Sequence, residues 1–356
     1  QAAPTEQPTP EPDPVQQLLE EMTLEQKVGQ LFLVRPDSLD LSQTQDQIND
    51  AKADGVTELT DAMRQTLAEY PVGGVVIFGK NLESPQQITQ FLDDLQQASD
   101  TPLFTAIDEE GGLVARLANN AAFDLPQYES AAAVGTSGNP EDARAMGSTI
   151  GSYLKEYGFN LDFAPVADVN TNPDNPVIGT RAFSSEPQTA ADLVGGACAG
   201  FADAGVACTL KHFPGHGDTS EDTHVGTVTL NKTLDDLRSC ELVPFAQNVN
   251  NAPLIMAAHI TVPQVTGDDT PASLSSVMLT DLLRGELGIT DVYTPGQAAV
   301  KALQAGADLL LMPNGLADAY TAVLEAVQDG TIPQQRLDES VQRILQCKYQ
   351  YGILTQ

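Results

Sequence analysis

The 356-residue sequence predicts an α/β fold, a (β/α)8 TIM-type barrel of parallel strands occupying residues 15–356 as a single domain. Three observations carry this. Short apolar runs recur along the chain, amphipathic segments of helical period lie between most of them, and polar, glycine-rich residues follow the runs.

The elements follow in order. Thr23 followed by Gln26 has the spacing of a capping box, and "LEQKVGQLFLV" passes from the helix it starts into an apolar strand. Similar runs are "GGVVIFG" (73–79), "PLFTAID" (102–108), "FNLDFAPV" (159–166), "GVACTLKHF" (205–213), "PLIMAAH" (253–259) and "ADLLLMP" (307–313). They are too continuous to be half-exposed and suit strands buried on both faces. Between them, "SPQQITQFLDDLQQAS" and "TAADLVGGACAGFADA" repeat apolar residues at helical spacing. The rhythm breaks once. The helix "SVMLTDLLRGELG" (276–288) runs through "ITDVY" straight into another, "TPGQAAVKALQAG" (294–306), with no apolar strand between. Seven strands are thus legible where a closed barrel needs eight. The expectation is that one strand and its following loop are absent near 288–290; the alternative is a sheet that does not close.

Polar residues follow four strands: "DEEGG" the third, "ADVN" the fourth, "PGHGD" the fifth, and His259 ends the sixth. Barrel enzymes assemble their sites from such strand-end loops, whereas an open sheet concentrates ligands at one switch point. No GxGxxG or P-loop spacing supports a nucleotide. With 17 Lys and Arg against 49 Asp and Glu, the formal charge of −32 excludes a polyanionic partner such as nucleic acid. No apolar run approaches the ~20 residues of a membrane span. Residues 1–14, "QAAPTEQPTPEPDP", read as an extended tether of the kind left when an export or lipoprotein signal is removed, although a frayed terminus reads alike. An extracellular or cell-surface location, with a membrane tether through a lost lipoprotein signal, is the matching expectation. Cys198, Cys208, Cys240 and Cys347 form no CxxC pair, which disfavours zinc or a redox motif and leaves disulfides open.

The densest chemistry is "KHFPGHGDTSEDTH" (211–224). Pro214, Gly215 and Gly217 oppose a helix, so its histidines lie on a loop leaving a strand. His212, His216, Asp218, Asp222 and His224 are all ordinary metal ligands. Acid–base chemistry is the favoured alternative: Asp222, two residues from His224, would fix the imidazole tautomer and raise its basicity. His212 and His216 read equally well as partners of buried backbone groups.

That loop, with "AIDEEGGLVAR" (106–116), "NLDFAPVADVN" (160–170), "NPVIGTRAFSSEP" (175–187) and "AGADLLLMP" (305–313), resembles the bacterial β-N-acetylglucosaminidases of glycoside hydrolase family 3, from about Leu18 to Leu354. The GHGDT…DxH loop is what separates them from the family's β-glucosidases, which take their acid/base from a second domain. The resemblance implies a retaining hydrolase of terminal β-linked N-acetylglucosamine that uses neither metal nor cofactor. It implies His224 as general acid/base with Asp222 as its partner. Asp108 and Arg116 would hold sugar hydroxyls, and Arg181, Lys211 and His212 would complete the pocket. The implied nucleophile is an Asp ending a strand between the "LRGELG" and "TPGQAAV" helices. Asp291 is the only acid there, and its surroundings align better downstream of that strand, so it is not taken as the nucleophile. Leu113 stands where many relatives carry Arg.

The absence of Trp and an aromatic content of 5% argue for a small pocket for one terminal sugar and against a long stacking cleft. Peptidoglycan-derived fragments are the implied substrate. Phosphorolysis and a sugar-binding lipoprotein lacking its nucleophile are the alternatives. The segment 35–70, long for a first strand-to-strand connection, is expected to decorate the pocket mouth.

Overall fold

The computed structural model describes residues 13–220, 228–287, 299–355 and the backbone of 292–295. Eight strands form a closed parallel barrel: β1 (Phe32–Val34), β2 (Gly74–Ile77), β3 (Phe104–Ile107), β4 (Leu161–Asp162), β5 (Ala207–Phe213), β6 (Leu254–Ala257), β7 (Val292–Pro295) and β8 (Leu309–Leu311). Sequence order is spatial order, and β8 pairs with β1 through Phe32↔Leu310 and Leu33↔Leu311.

The expected missing strand is overturned for the backbone. Val292–Pro295 lies parallel to β6 (Val292↔Ile255) and to β8 (Thr294↔Leu310), and it closes the ring. Its residues hid it, because "VYTP" is no apolar run. Val, Tyr and Thr nonetheless favour extended backbone, and Pro is tolerated at the strand's last residue. The following helix accordingly begins at Ala299 and not at Thr294. Pro14, the last residue of the expected tether, is instead the first residue of helix Pro14–Glu21, with the Asp13 side chain accepting from the Val15 amide.

Several of the legible helices form as read, while the segment read as helix over 276–288 forms a π-helix, Val277–Glu286. The Thr23–Gln26 capping box starts Leu24–Gln30, Ser84 caps Pro85–Gln97, and Gly205 ends Pro187–Ala204 at φ 71°, in the left-handed region where a side chain is disfavoured. Phe104, Leu161, Leu210, Leu254 and Leu310 belong to one continuous buried core. Away from the strands' carboxyl ends, Asp308 at the start of β8 gathers Arg284, Arg336 and Arg343 at 2.5, 3.2 and 2.7 Å and ties the helices that carry them to the barrel. The four cysteines form no disulfide with one another. Among the described residues, no helix is long and apolar enough to cross a membrane.

Candidate active site

A cavity of about 650 Å³ opens at the carboxyl ends of the strands. Asp108, Arg116, Arg181, Lys211 and His212, which the sequence assigns to substrate, all line it. His224 and Asp222, as well as Asp291, lie outside the described residues.

The period-2 alternation of extended chain sorts "DEE" after β3. Asp108 and Glu110 face the cavity. Glu109 turns away, where its carboxylate accepts from the Leu117 and Ala118 amides at 2.8 and 2.9 Å and from the Tyr153 hydroxyl at 2.8 Å. Burial pushes the Glu109 carboxyl up, and buried Asp162 further still. On β5 the alternation is broken on purpose by the fold. The register between β5 and β6 shifts between Lys211 and Phe213, and this bulge lets consecutive residues Lys211 and His212 both reach the cavity.

Lys211 Nζ donates to Asp108 Oδ1 at 2.8 Å and meets Glu110 Oε1 at 2.6 Å. Burial would strip its charge, but the two carboxylates hold its pKa above the ordinary value. In return, burial would raise Asp108 and Glu110, but Lys211 and Arg181 hold both below the usual carboxylate range, with Arg116 adding to the effect on Asp108. Arg181 donates to both oxygens of Glu110 and to the Val177 carbonyl. Arg116 stands 3.6 Å from Asp108 Oδ2. Leu113 is 76% exposed.

His212 Nδ1 lies 2.7 Å from Asp168 Oδ2. Burial would raise the Asp168 carboxyl, but His212 and His216 hold it ionised, so it can only accept, and the His212 proton sits on Nδ1. Nε2 is left as an acceptor 3.4 Å from Arg181 Nη2. Burial outweighs Asp168 and lowers the His212 pKa, so the ring is neutral near pH 7. Asp168 also accepts from the His212 and His216 amides, at 3.2 and 2.6 Å. At His216 the Thr219 hydroxyl donates to the His216 carbonyl, so it accepts from Nδ1–H. Gly217 brings this loop against the β4 loop: a Cβ there would fall 1.8 Å from the Val169 carbonyl oxygen. Asp218 is bound by Lys232 at 3.1 Å and by the Thr171 hydroxyl at 2.9 Å, an anchor of the loop.

Sequence reasoning missed Glu110, Asp168, Arg35 and Phe78. Glu110 was readable, since it lies two residues beyond Asp108 on the same face of an extended chain. Asp168 had only its place in "ADVN" as a signal. The segment 35–70 does reach the mouth, through Arg35, and Gln45 Oε1 accepts from the Gly315 amide at 3.0 Å beyond β8.

A parallel barrel with a cavity lined by charged side chains at the strands' carboxyl ends has the architecture of barrel enzymes. The chain belongs to glycosyl hydrolase family 3, whose N-terminal domain matches residues 23–347. Beta-hexosaminidase A of Pseudoalteromonas piscicida is 33% identical over 333 residues, 82% of this chain and 56% of that protein. Beta-hexosaminidase LpqI of Mycobacterium tuberculosis is 34% identical over 83% of this chain and 80% of its own length. The structure of a glycoside hydrolase family 3 beta-N-acetylglucosaminidase from Paenibacillus sp. str. FPU-7 superposes with a TM-score of 0.84 at 36% identity, over 93% of this chain and 63% of that one. The chain therefore spans less than two thirds of the Pseudoalteromonas and Paenibacillus proteins.

Proposed function

We propose that the chain is a retaining, exo-acting β-N-acetylhexosaminidase that removes terminal β-linked N-acetylglucosamine through a covalent glycosyl-enzyme. The observation that carries the proposal is the cavity's lattice of Asp108, Glu110, Lys211 and Arg181 with neutral His212 beside it. Carboxylates with free lone pairs and fixed N–H donors match the alternating donors and acceptors of sugar hydroxyls. The names of the relatives point to the same sugar. As a carboxylate of the chain attacks the anomeric carbon and forms a glycosyl ester, His224, steadied by Asp222, protonates the departing glycosidic oxygen; it then takes a proton from the water that cleaves the ester and frees the carboxylate. A neutral imidazole repels phosphate less than a carboxylate does, so phosphate in place of water is the second reading.

Release of p-nitrophenol from p-nitrophenyl β-N-acetylglucosaminide by the full chain tests hydrolysis, and ¹H NMR of the first-formed sugar tests retention. Saccharide binding without turnover would replace the enzyme with a sugar-binding protein. Activity lost on chelation would return the loop histidines to metal ligation. Sugar 1-phosphate as the main product in phosphate buffer would make the chain a phosphorylase. The proposal extends to a protein outside the cell or at its surface, acting on peptidoglycan fragments; its support is the Pro-, Gln- and Glu-rich opening, and cell fractionation tests it.

A further inference from the structure

A second cavity, of about 600 Å³, opens at the other end of the barrel. Three segments wall it: helix Pro187–Ala204, whose end leads into β5, residues 249–253, which lead into β6, and the last turns of helix Gln334–Gln350. These are the amino ends of the strands, so this cavity and the catalytic one lie on opposite faces of the barrel.

Four carboxamides line it, Asn250, Asn251, Gln346 and Gln350. All four are exposed, and Asn250, Gln346 and Gln350 make no side-chain hydrogen bond among the described residues. Asn251 is set in place. Its Nδ2 donates at 2.9 Å to Oδ1 of buried Asn248, whose own Nδ2 donates to the Ala191 and Pro244 carbonyls at 2.8 and 2.9 Å. Asn251 Oδ1 is thereby left as a free acceptor. Gly195 makes room for this arrangement: a Cβ there would fall 2.6 Å from Asn248 Oδ1, so a residue that weakens helix interiors stands in the middle of Pro187–Ala204. Partly buried Tyr351 adds an aromatic ring, and Arg343 is already bonded to both oxygens of Asp308, at 3.2 and 2.7 Å.

A carboxamide presents donor and acceptor together, as a hydroxyl does. A sugar ring joins such hydroxyls to an apolar C–H face that suits an aromatic side chain. A peptide fits less well, because extended main chain pairs with a strand edge, whereas helices, with backbone groups bonded internally, supply two of the three walls.

We infer that this cavity is a second saccharide-binding site, which takes a neutral sugar through Asn250, Asn251, Gln346 and Gln350 with Tyr351 as its platform. It holds the protein on a polysaccharide while the catalytic cavity at the opposite end stays open.

Retention of the full chain on insoluble chitin and on cellulose, with immobilised denatured casein as the peptide counterpart, tests it. The wild type is expected to be retained on at least one of the two polysaccharides. Gln346→Ala/Gln350→Ala, at exposed positions of a helix that Ala also favours, should lower retention roughly three- to tenfold, the scale of one or two lost hydrogen bonds. Tyr351→Ala should lower it further. Release of p-nitrophenol from the soluble β-N-acetylglucosaminide by the double variant should match the wild type; that assay reads the catalytic cavity alone, so hydrolysis and retention can fail separately. No retention of the wild type on either polysaccharide, or retention that the double variant leaves intact, would overturn the inference. Retention on casein alone, lost in the double variant, would make a peptide the occupant and overturn it as well.

Discussion

Arg181 and Glu110 join through two parallel bonds, Nε to Oε2 and Nη2 to Oε1, both 2.8 Å, with the Glu110 side chain only 3% exposed. Lys211 shares the same carboxylate and Asp108 as well, so two cations distant in sequence, Arg181 and Lys211, depend on one acid. Removing one member of a buried pair leaves the others charged and desolvated. Glu110→Gln, isosteric but neutral, is expected to destabilise the protein by about 3 kcal/mol and to raise KM for the sugar substrate. Denaturant unfolding and steady-state kinetics check both effects. An unchanged unfolding midpoint would show that the pair adds nothing to stability.

Asp168 governs a tautomer. Asn at this position retains an oxygen for the His212 and His216 amides but turns an N–H donor toward His212 Nδ1. The imidazole proton is then driven to Nε2, where it confronts a donor of Arg181. Asp168→Asn is therefore expected to lower kcat/KM by about 10–100-fold with the fold retained. Nitrogen-15 NMR of the His212 ring supplies the distinguishing readout, an exchange of protonated and bare nitrogens. An unchanged ring signature beside unchanged activity would remove Asp168 from the positioning of His212.

The barrel was legible because buried parallel strands must be apolar on both faces, and seven of its strands are. The eighth escaped because Val292–Pro295 owes its place to parallel neighbours on both sides and not to an apolar pattern of its own. At the site, Asp108, Arg116, Arg181, Lys211 and His212 were found through family motifs. The physics that unites them, a bulge turning two consecutive residues inward and a carboxylate hidden behind a histidine, is tertiary and leaves no periodic trace. Arg35 was invisible for a related reason. Nothing in "VRPDS" announces that its guanidinium will lie on a ring supplied by Phe78.

The roles of His224 and Asp222 are separable by leaving group. Protonation of the departing oxygen matters most when that oxygen is basic, so His224→Ala should reduce turnover of natural disaccharides by about 10²–10⁴ and that of activated aryl glycosides far less. Equal losses on both substrates would contradict general acid catalysis at this residue. Asp222→Asn should fold normally but misorient the imidazole, moving the alkaline and acid limbs of the pH–rate profile. A profile superimposable on that of the wild type would dissolve the dyad.

Lys348 carries the last prediction, away from the pocket. Its side chain is fully buried, with Nζ 2.7 Å from Gln30 Oε1 and 5.1 Å from the Phe104 ring centroid. Burial lowers its pKa from 10.5 to about 7. The folded-state value thus lies below the unfolded one, so between pH 7 and 10 the unfolded chain holds a proton that the native state has released. Linkage then makes stability rise with pH across that window, by about 1.4 kcal/mol per unit from this group. Below pH 7 the full cost of a buried ammonium is present in the wild type. Lys348→Met removes that cost, so the variant's stability relative to wild type should be greatest near pH 6 and should shrink by about 2 kcal/mol between pH 7 and pH 9. Urea denaturation of both proteins at the two ends of the range measures the difference, and a gap independent of pH would mean that the buried amine titrates like an exposed one.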